Sequence, residues 1–412
     1  MDEVEVAVIG AGAAGLAAAR TLTDLGRRVI VLEARDRIGG RALTDTGSFG
    51  VPVDLGCAWL HSADENPWRE QARRLGFTVI ERNPVWQGRV GNRRIGNDDR
   101  APWHEAIGRW FGAISAAGEE GLDVPASAVV GQGEFRKLFE SVVTWACGVE
   151  LHELSTLDYS RYRNTGFDWP VREGYGALIA RYGEGLPVRL ATPVSLVRWG
   201  GQRLRLETPA GPVEARAAIV TAPVSLLQAG GLAFDPPLPP ARQQAIADIK
   251  VGVANKVFMA VDGNPFGMPD SSYGSSRLDD RRTAGLMFRP FGDALAGGYL
   301  GGDLAEELDV AGEAATIEFV IGEFAAVFGA DIRRHFGKTI ATRWFSDPWA
   351  RGGYSAAKPG HADARKVFAA PIDDRLYFAG EACSVEDFGT AHGAYLTGVA
   401  AARAADAALA TA

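Results

Sequence analysis

The strongest constraint on this chain lies at its start, where Val4 to Ile9 is a run of strand-forming residues leading straight into Gly10-Ala-Gly-Ala-Ala-Gly15. An alanine-rich helical stretch, Leu16 to Leu25, follows, and Arg28 to Glu33 reads as a second buried strand closed by an acid. A GxGxxG pattern by itself is weak. Set between a strand and a helix, with an acid closing the next strand about twenty residues on, it specifies a dinucleotide-binding β-turn-α-β unit. Gly10 permits the tight bend, Gly12 lets the backbone approach a pyrophosphate, and Gly15 allows the helix to pack closely on the strand. The helix start presents free amides and the positive end of its dipole to phosphates. Glu33 is placed to accept hydrogen bonds from ribose hydroxyls, which disfavours a 2′-phosphate.

With 412 residues, 47% of them hydrophobic, the chain can bury a large core and is expected to hold two or three domains. No apolar run approaches the roughly 20 residues that span a bilayer, and the first apolar stretch has no basic leader. A cytoplasmic protein without signal peptide or membrane segment is therefore expected. Cys57, Cys147 and Cys383 are an odd number at unrelated spacings, which suits a reducing compartment and gives no disulfide framework. No Cys/His cluster has zinc spacing, so no metal is expected. The formal net charge of -8 speaks against nucleic acid and for cationic ligands.

Between Asn66 and Tyr162 the pattern is helical and rich in tryptophan, with few strand-like runs, as for an inserted domain. Strand patterns return at Val188 to Arg198, Leu204 to Glu207 and Ala217 to Thr221, then at Val253 to Asp262 and Leu286 to Leu300. A helical stretch near Ala305 to Phe328 comes before a last strand, Arg375 to Ala379, and a closing helix, Gly393 to Ala410. The chain thus leaves the dinucleotide unit and returns to it. The expected division gives residues 1–80, 172–250 and 345–412 to the dinucleotide-binding domain, and 81–171 and 251–344 to a substrate-binding domain.

The glycine turn does not separate NAD from FAD. The segment Glu33-Ala-Arg-Asp-Arg-Ile-Gly-Gly-Arg41 resembles the stretch after the second strand in the flavin amine oxidase superfamily. Similar matches lie at Asp54-Leu-Gly-Cys-Ala-Trp-Leu-His61 with Asn66-Pro67, at Arg172 to Leu178, at Trp344 with Asp347 to Ser355, at Phe378-Ala-Gly-Glu-Ala382 and at Thr390 to Gly398. Together they resemble the polyamine oxidase and histone demethylase branch, in family order over the whole chain. The resemblance implies an α/β fold in which an FAD-binding Rossmann-like domain of the amine oxidase type is interleaved with an α+β substrate-binding domain. It also implies non-covalent FAD, because the tethering cysteine of monoamine oxidases falls near Gly353. Arg41 and Glu381 would contact the cofactor, Gly393 and Ala394 would lie beside the flavin, and Val194 would meet the adenine ring or be a plain core valine. Arg35 and Arg37 read as solvated loop charges.

The implied chemistry is oxidation of a C–N bond of a primary or secondary amine, polyamine-like or monoamine. Hydride passes to flavin N5, the imine hydrolyses, and O2 as electron acceptor yields H2O2. Lys256 resembles the lysine that reaches flavin N5 through a water; the alternative is a surface lysine on an amphipathic strand. Tyr354 occupies one wall of an aromatic cage and Thr390 the place of the second, an incomplete cage that favours the polyamine branch. Tyr354 also fits a core aromatic. His61 matches a histidine near the substrate channel and equally fits a structural role. Trp344 and Trp349 would line the substrate pocket, and His392, beside the flavin-facing glycine, would belong to its surround.

Two alternatives stay open. One is an L-amino acid oxidase of the same fold, which needs an arginine for the substrate carboxylate, with Arg172, Arg289 and Arg343 as candidates. The other is an FAD-binding protein without amine turnover. With no additional N-terminal domain or long inserted coiled coil expected, a histone demethylase is disfavoured.

Overall fold

Five of the eight residues of Asp2–Ile9 are apolar, and the segment forms an inner strand of an eight-stranded sheet. The computed structural model describes residues 2–90, 93–94, 97–277 and 280–411. Asp2–Ile9 pairs in parallel with Val29–Leu32 on one side and Val213–Val220 on the other. Val188–Arg189 extends the first edge in parallel, and Leu376–Phe378 pairs in parallel with the far end of Val213–Val220. The other edge is an antiparallel run through Leu204–Glu207 and Leu196–Arg198, to which Ala233–Asp235 adds in parallel.

Both faces of this sheet are covered, which explains the unbroken apolar runs at residues 6–9, 29–32 and 217–220. On one face lie the helices Ala13–Asp24 and Ala391–Thr411, packed through Leu16, Leu22, Ala402 and Ala405 against Val6, Val8 and Ile219. Small residues set their separation: a Cβ built on Gly398 would lie 2.1 Å from the Ala14 carbonyl oxygen. The other face carries the helices Pro240–Ala247 and Ala364–Ala369, with Ile246 and Phe368 packed near Ala7, Ile9, Leu32 and Val220.

A second, seven-stranded sheet runs in the order Phe336–Ala341, Ala254–Val261, Leu295–Gly301, Gly285–Phe288, Ser272–Ser275, Val85–Val90 and Arg93–Arg94. Its two faces follow from the twofold alternation of strand side chains. Val257, Met259, Leu286 and Phe288 point to the helices Gly302–Ala311 and Glu313–Phe328, where Val320 and Phe324 are fully buried. Ala254, Lys256, Phe258, Gly285, Met287, Leu295 and Tyr299 point the other way, into a cavity shared with the first sheet. The helical region between contributes Asn97–Glu119, Arg136–Cys147 and Thr156–Ser160.

Three expectations change here. The stretch between Asn66 and Tyr162 contains the strand Val85–Val90, paired in parallel with Ser272–Ser275, in a segment that reads as helical. The run Val188 to Arg198 is two short strands separated by a loop through Pro193, because proline lacks the amide a ladder needs. The helical stretch from Ala305 is two helices, broken at Gly312, whose φ of +106° lies outside helical space.

Candidate active site

One cavity of about 850 Å³ runs from the Gly10 turn to the inner face of the second sheet. At the turn, Gly10 has φ +100°, and a Cβ on Gly15 would sit 1.9 Å from the Gly10 carbonyl oxygen. Gly15 is therefore a packing glycine behind the wall. Gly12, Ala13 and Ala14 are on the wall itself. The buried Glu33 carboxylate accepts from the Ala11 amide (2.6 Å) and the Arg35 amide (2.9 Å), and it keeps lone pairs toward the cavity for hydroxyl donors. Val194 lines the same end.

Arg35 and Arg37 are not solvated loop charges. Arg35 makes a bidentate pair with Asp347 (2.7 and 2.7 Å), which in turn accepts from the Trp349 amide (2.8 Å), and Arg37 is half-buried. Trp349 thus enters the cavity beside Arg35, whereas Trp344 donates its indole N–H to the Leu55 carbonyl (3.0 Å), next to Asp54 and Gly56. The two tryptophans belong to different parts of the wall.

In the middle of the cavity, Arg41 Nη1 donates to the Gly353 carbonyl (2.6 Å) and to Glu381 Oε1 (3.0 Å). Glu381 Oε2 accepts from Ser355 Oγ (2.6 Å) and the Gly389 amide (2.9 Å). Burial pushes this carboxyl upward, but Arg41, Ser355, Arg365 and the Gly389 amide outweigh it and hold the pKa below the ordinary 4.5. Thr390 lines the wall and caps the closing helix, its Oγ1 accepting from the Gly393 amide (2.9 Å). Ala394 is on the wall and Gly393 is behind it, because a Cβ there would meet the Asp387 carbonyl oxygen at 2.0 Å. His392 is buried behind the wall too. Its Nε2 contacts Asp387 Oδ1 (3.2 Å), so the structure moves it out of the substrate pocket.

At the far end, Lys256 is buried, not a surface lysine on an amphipathic strand. Its Nζ donates to the carbonyls of Asp54 (3.0 Å) and Gly56 (2.5 Å), and burial holds its pKa below the usual 10.5 against the pull of Asp54. Its setting is fixed from behind. Asn255 donates to the buried Asp309 (2.9 Å) and accepts from Thr342 Oγ1 and the Trp344 amide (3.0 Å each), while Thr342 Oγ1 accepts from the Lys256 amide (2.8 Å). The antiparallel register sets Tyr299 opposite Lys256, and the Trp59 and Tyr299 ring centres each lie 5.9 Å from Nζ.

Tyr354 is part of this cluster, with its hydroxyl 3.2 Å from that of Tyr299 and hydrogen-bonded to the Trp145 carbonyl. Toward solvent, His61 Nδ1 pairs with Asp168 Oδ1 at 2.7 Å, both side chains partly exposed and both on the cavity wall. Trp59, Asp168, Tyr273 and Tyr299 are site residues that the motif reading missed. Trp59 lies inside the quoted Asp54 to His61 segment, and Tyr299 was reachable only through strand register.

The three arginines considered for a substrate carboxylate are all engaged elsewhere and lie off the cavity wall. Arg172 pairs with Asp293 (2.9 and 3.0 Å), Arg289 with Asp270 (2.7 Å), and Arg343 with the Asp309 carbonyl (2.9 Å). Arg82, exposed at the rim, does line the cavity.

A long cleft with a glycine turn and ribose-directed acid at one end, two helix N-termini and a Glu–Arg pair at its middle, and a buried lysine among aromatics at the other defines a dinucleotide-dependent oxidoreductase. The flavin containing amine oxidoreductase family matches over residues 13–406, and the chain belongs to that family. It is 30% identical to Polyamine oxidase 4 of Oryza sativa subsp. japonica over 433 residues, covering 96% of this chain and 87% of the relative. It is 27% identical to Lysine-specific histone demethylase 2 of Homo sapiens, covering 96% of this chain and 52% of that protein. Among solved structures, cyclohexylamine oxidase from Brevibacterium oxydans superposes with a TM-score of 0.84 at 22% identity (99% of each chain). Putrescine oxidase bound to putrescine gives 0.81 at 21% identity (98% of this chain, 99% of that one).

The protein is a flavin-dependent amine oxidoreductase, with an FAD-binding Rossmann-like domain interleaved with an α+β domain. Its cofactor is FAD, bound without a covalent link. The donor set fits: Glu33 offers acceptors for the ribose, the open backbone at Gly12 and the helix starts suit a pyrophosphate, and Arg41 keeps donors free toward the cavity. Burial pushes the cavity-lining thiols of Cys57 and Cys147 up to about 12, so neither is a thiolate at neutral pH. No helix among the described residues is long and apolar enough to cross a membrane.

Proposed function

We propose that the protein oxidises the C–N bond of a primary or secondary amine and passes the electrons to O2. The observation that carries this reading is the continuity of one cavity from the Glu33 site to Lys256 and its aromatic neighbours, which leaves room for a small molecule beyond a bound dinucleotide. When bound, FAD supplies the acceptor for the hydride lost from the carbon next to nitrogen. Atoms balance as follows: the C–H and N–H bonds break and C=N forms; water adds to give a carbonyl compound and ammonia or a smaller amine. O2 takes up the two electrons and two protons as H2O2.

The chain's own residues have simple tasks in this scheme. Tyr354, Tyr299 and Trp59 offer ring faces that suit an amine or its cation. Lys256, held at the amine end by the Asp54 and Gly56 carbonyls, is the group that would reach flavin N5 through a water. Glu33, Arg41, Val194, Glu381 and the helix start at Ala394 bind and orient the cofactor; His61 with Asp168 guards the entrance, and Trp344 walls the amine end. Residues 1–80, 172–250 and 345–412 form the cofactor-binding unit, and 81–171 with 251–344 form the roof over the amine. A cytoplasmic location agrees with three free cysteines.

The test is anaerobic addition of polyamines, alkyl and arylalkyl amines and L-amino acids to the yellow holoprotein, followed by readmission of air. Bleaching by an amine, reversed by air with stoichiometric H2O2, is the expected result. Bleaching by L-amino acids alone would transfer the assignment to an amino acid oxidase with Arg82 as carboxylate partner, and no bleaching by either class would leave a flavoprotein without this turnover.

A further inference from the structure

The amine half of the cavity is apolar well beyond the lysine. Past Tyr354 it continues into a sector walled by Phe111, Val142, Cys147, Leu154, Tyr159 and Tyr162. Phe111 and Tyr159 stack at 5.6 Å with ring planes 14° apart, and Tyr162 tilts against Phe388 at 5.2 Å. The acid next to Tyr159 does not face this space: Asp158 is fully buried in a bidentate pair with Arg365 (2.7 and 2.9 Å).

Three carboxylates among the described residues line the amine half, and each has partners. Asp54 spends both oxygens on the Thr44 hydroxyl (2.6 Å) and the Tyr175 and Gly176 amides (2.9 and 3.1 Å). Burial raises its pKa further despite these bonds. Asp293 is neutralised by the bidentate Arg172, whose guanidinium also lies 4.8 Å from the centre of the Phe291 ring. Asp168 is at the rim with His61, where solvent screens its charge.

A substrate with a second ammonium group would bury that charge against rings and aliphatic carbon with no unpaired carboxylate to receive it, an arrangement proteins avoid. An apolar body in the same space gains contact with every wall. We propose that the preferred substrate is a monoamine carrying a bulky apolar group, arylalkyl or cycloalkyl, and not a diamine or polyamine. This rests on the amine oxidase reading above and narrows it against the incomplete cage at Thr390, since Tyr299 and Trp59 supply aromatic faces from other strands.

The experiment compares kcat/KM of the holoenzyme, by H2O2 release, for phenethylamine and cyclohexylamine against putrescine and spermidine, and repeats it for Asp168→Asn. The expected result is an advantage of at least about tenfold for the better monoamine over the better polyamine in the parent enzyme, and the same order of preference in Asp168→Asn whatever its absolute rate. An advantage below tenfold, or a polyamine preference that Asp168→Asn abolishes through KM, would overturn the proposal and leave the amine oxidase reading intact. Failure of every amine to reduce the flavin would overturn both.

Discussion

Glu381 shows how one side chain ties stability to the cofactor site. Its pKa lies below the unfolded value near 4.5 because Arg41, Ser355, Arg365 and the Gly389 amide favour the charged form more than burial disfavours it. The stabilisation is therefore complete above about pH 4.5 and is lost as pH falls through the lowered pKa. Glu381→Gln is expected to cost the apoprotein about 2 kcal/mol at neutral pH, the scale of a charge-assisted hydrogen bond. Thermal unfolding from about pH 7 to about pH 3 should show the gap to the parent chain narrowing on the acid side; a gap that is constant throughout would mean the carboxylate charge is not what stabilises. Residues of this kind were legible as motif members: Glu33, Arg41, Glu381 and Lys256 all lie on or against the cavity. Their partners were not, because Tyr299 meets Lys256 and Ser355 meets Glu381 only through folding.

The glycine turn and the closing helix depend on close backbone approach. A side chain at residue 398 must displace the Ala14 carbonyl, which lies in the first turn of the helix Ala13–Asp24, beside the glycine turn. Gly398→Val is expected to cost about 3 kcal/mol by overpacking and to weaken FAD retention by moving that helix start. Thr390→Ala removes the cap and the hydroxyl's bond to the Asp387 carbonyl (2.6 Å), about 1–2 kcal/mol, with smaller FAD loss. Denaturant unfolding and FAD release on gel filtration read both; equal flavin retention in the two variants would contradict the argument. The helix after the glycine turn and the closing helix were readable in sequence, whereas the break at Gly312 was not. Val85–Val90 was not, since a strand that joins a sheet formed mainly from residues 254–341 owes its state to partners far along the chain.

Across the whole molecule, a chain of polar contacts joins distant segments: Asp158 holds Arg365, Arg365 donates to Ser355 Oγ (2.8 Å), Ser355 holds Glu381, and Glu381 accepts from Arg41. It links the helix Thr156–Ser160 to the segment around Glu381 through a fully buried ion pair. Arg365→Met strands the Asp158 carboxylate and is expected to lower stability by about 3–5 kcal/mol, with weaker FAD binding. The double variant with Asp158→Asn should recover a large part of the stability. If the double variant is as unstable as the single one, lost packing and not an orphaned charge is the cause.

Local order decided what the sequence could show. The β-turn-α-β unit, its dinucleotide, the buried apolar strands and the family motifs are properties of contiguous residues, because turn geometry and side-chain periodicity act over a few positions. Tertiary structure alone decided that Trp349 stands with Arg35 and that His392 lies behind the wall. It also decided that the candidate carboxylate-binding arginines are already paired, and that the space beyond Lys256 is lined by rings from segments far apart in the chain. Those outcomes depend on strand register and on which distant charges find each other, and neither is encoded in any one stretch of the chain.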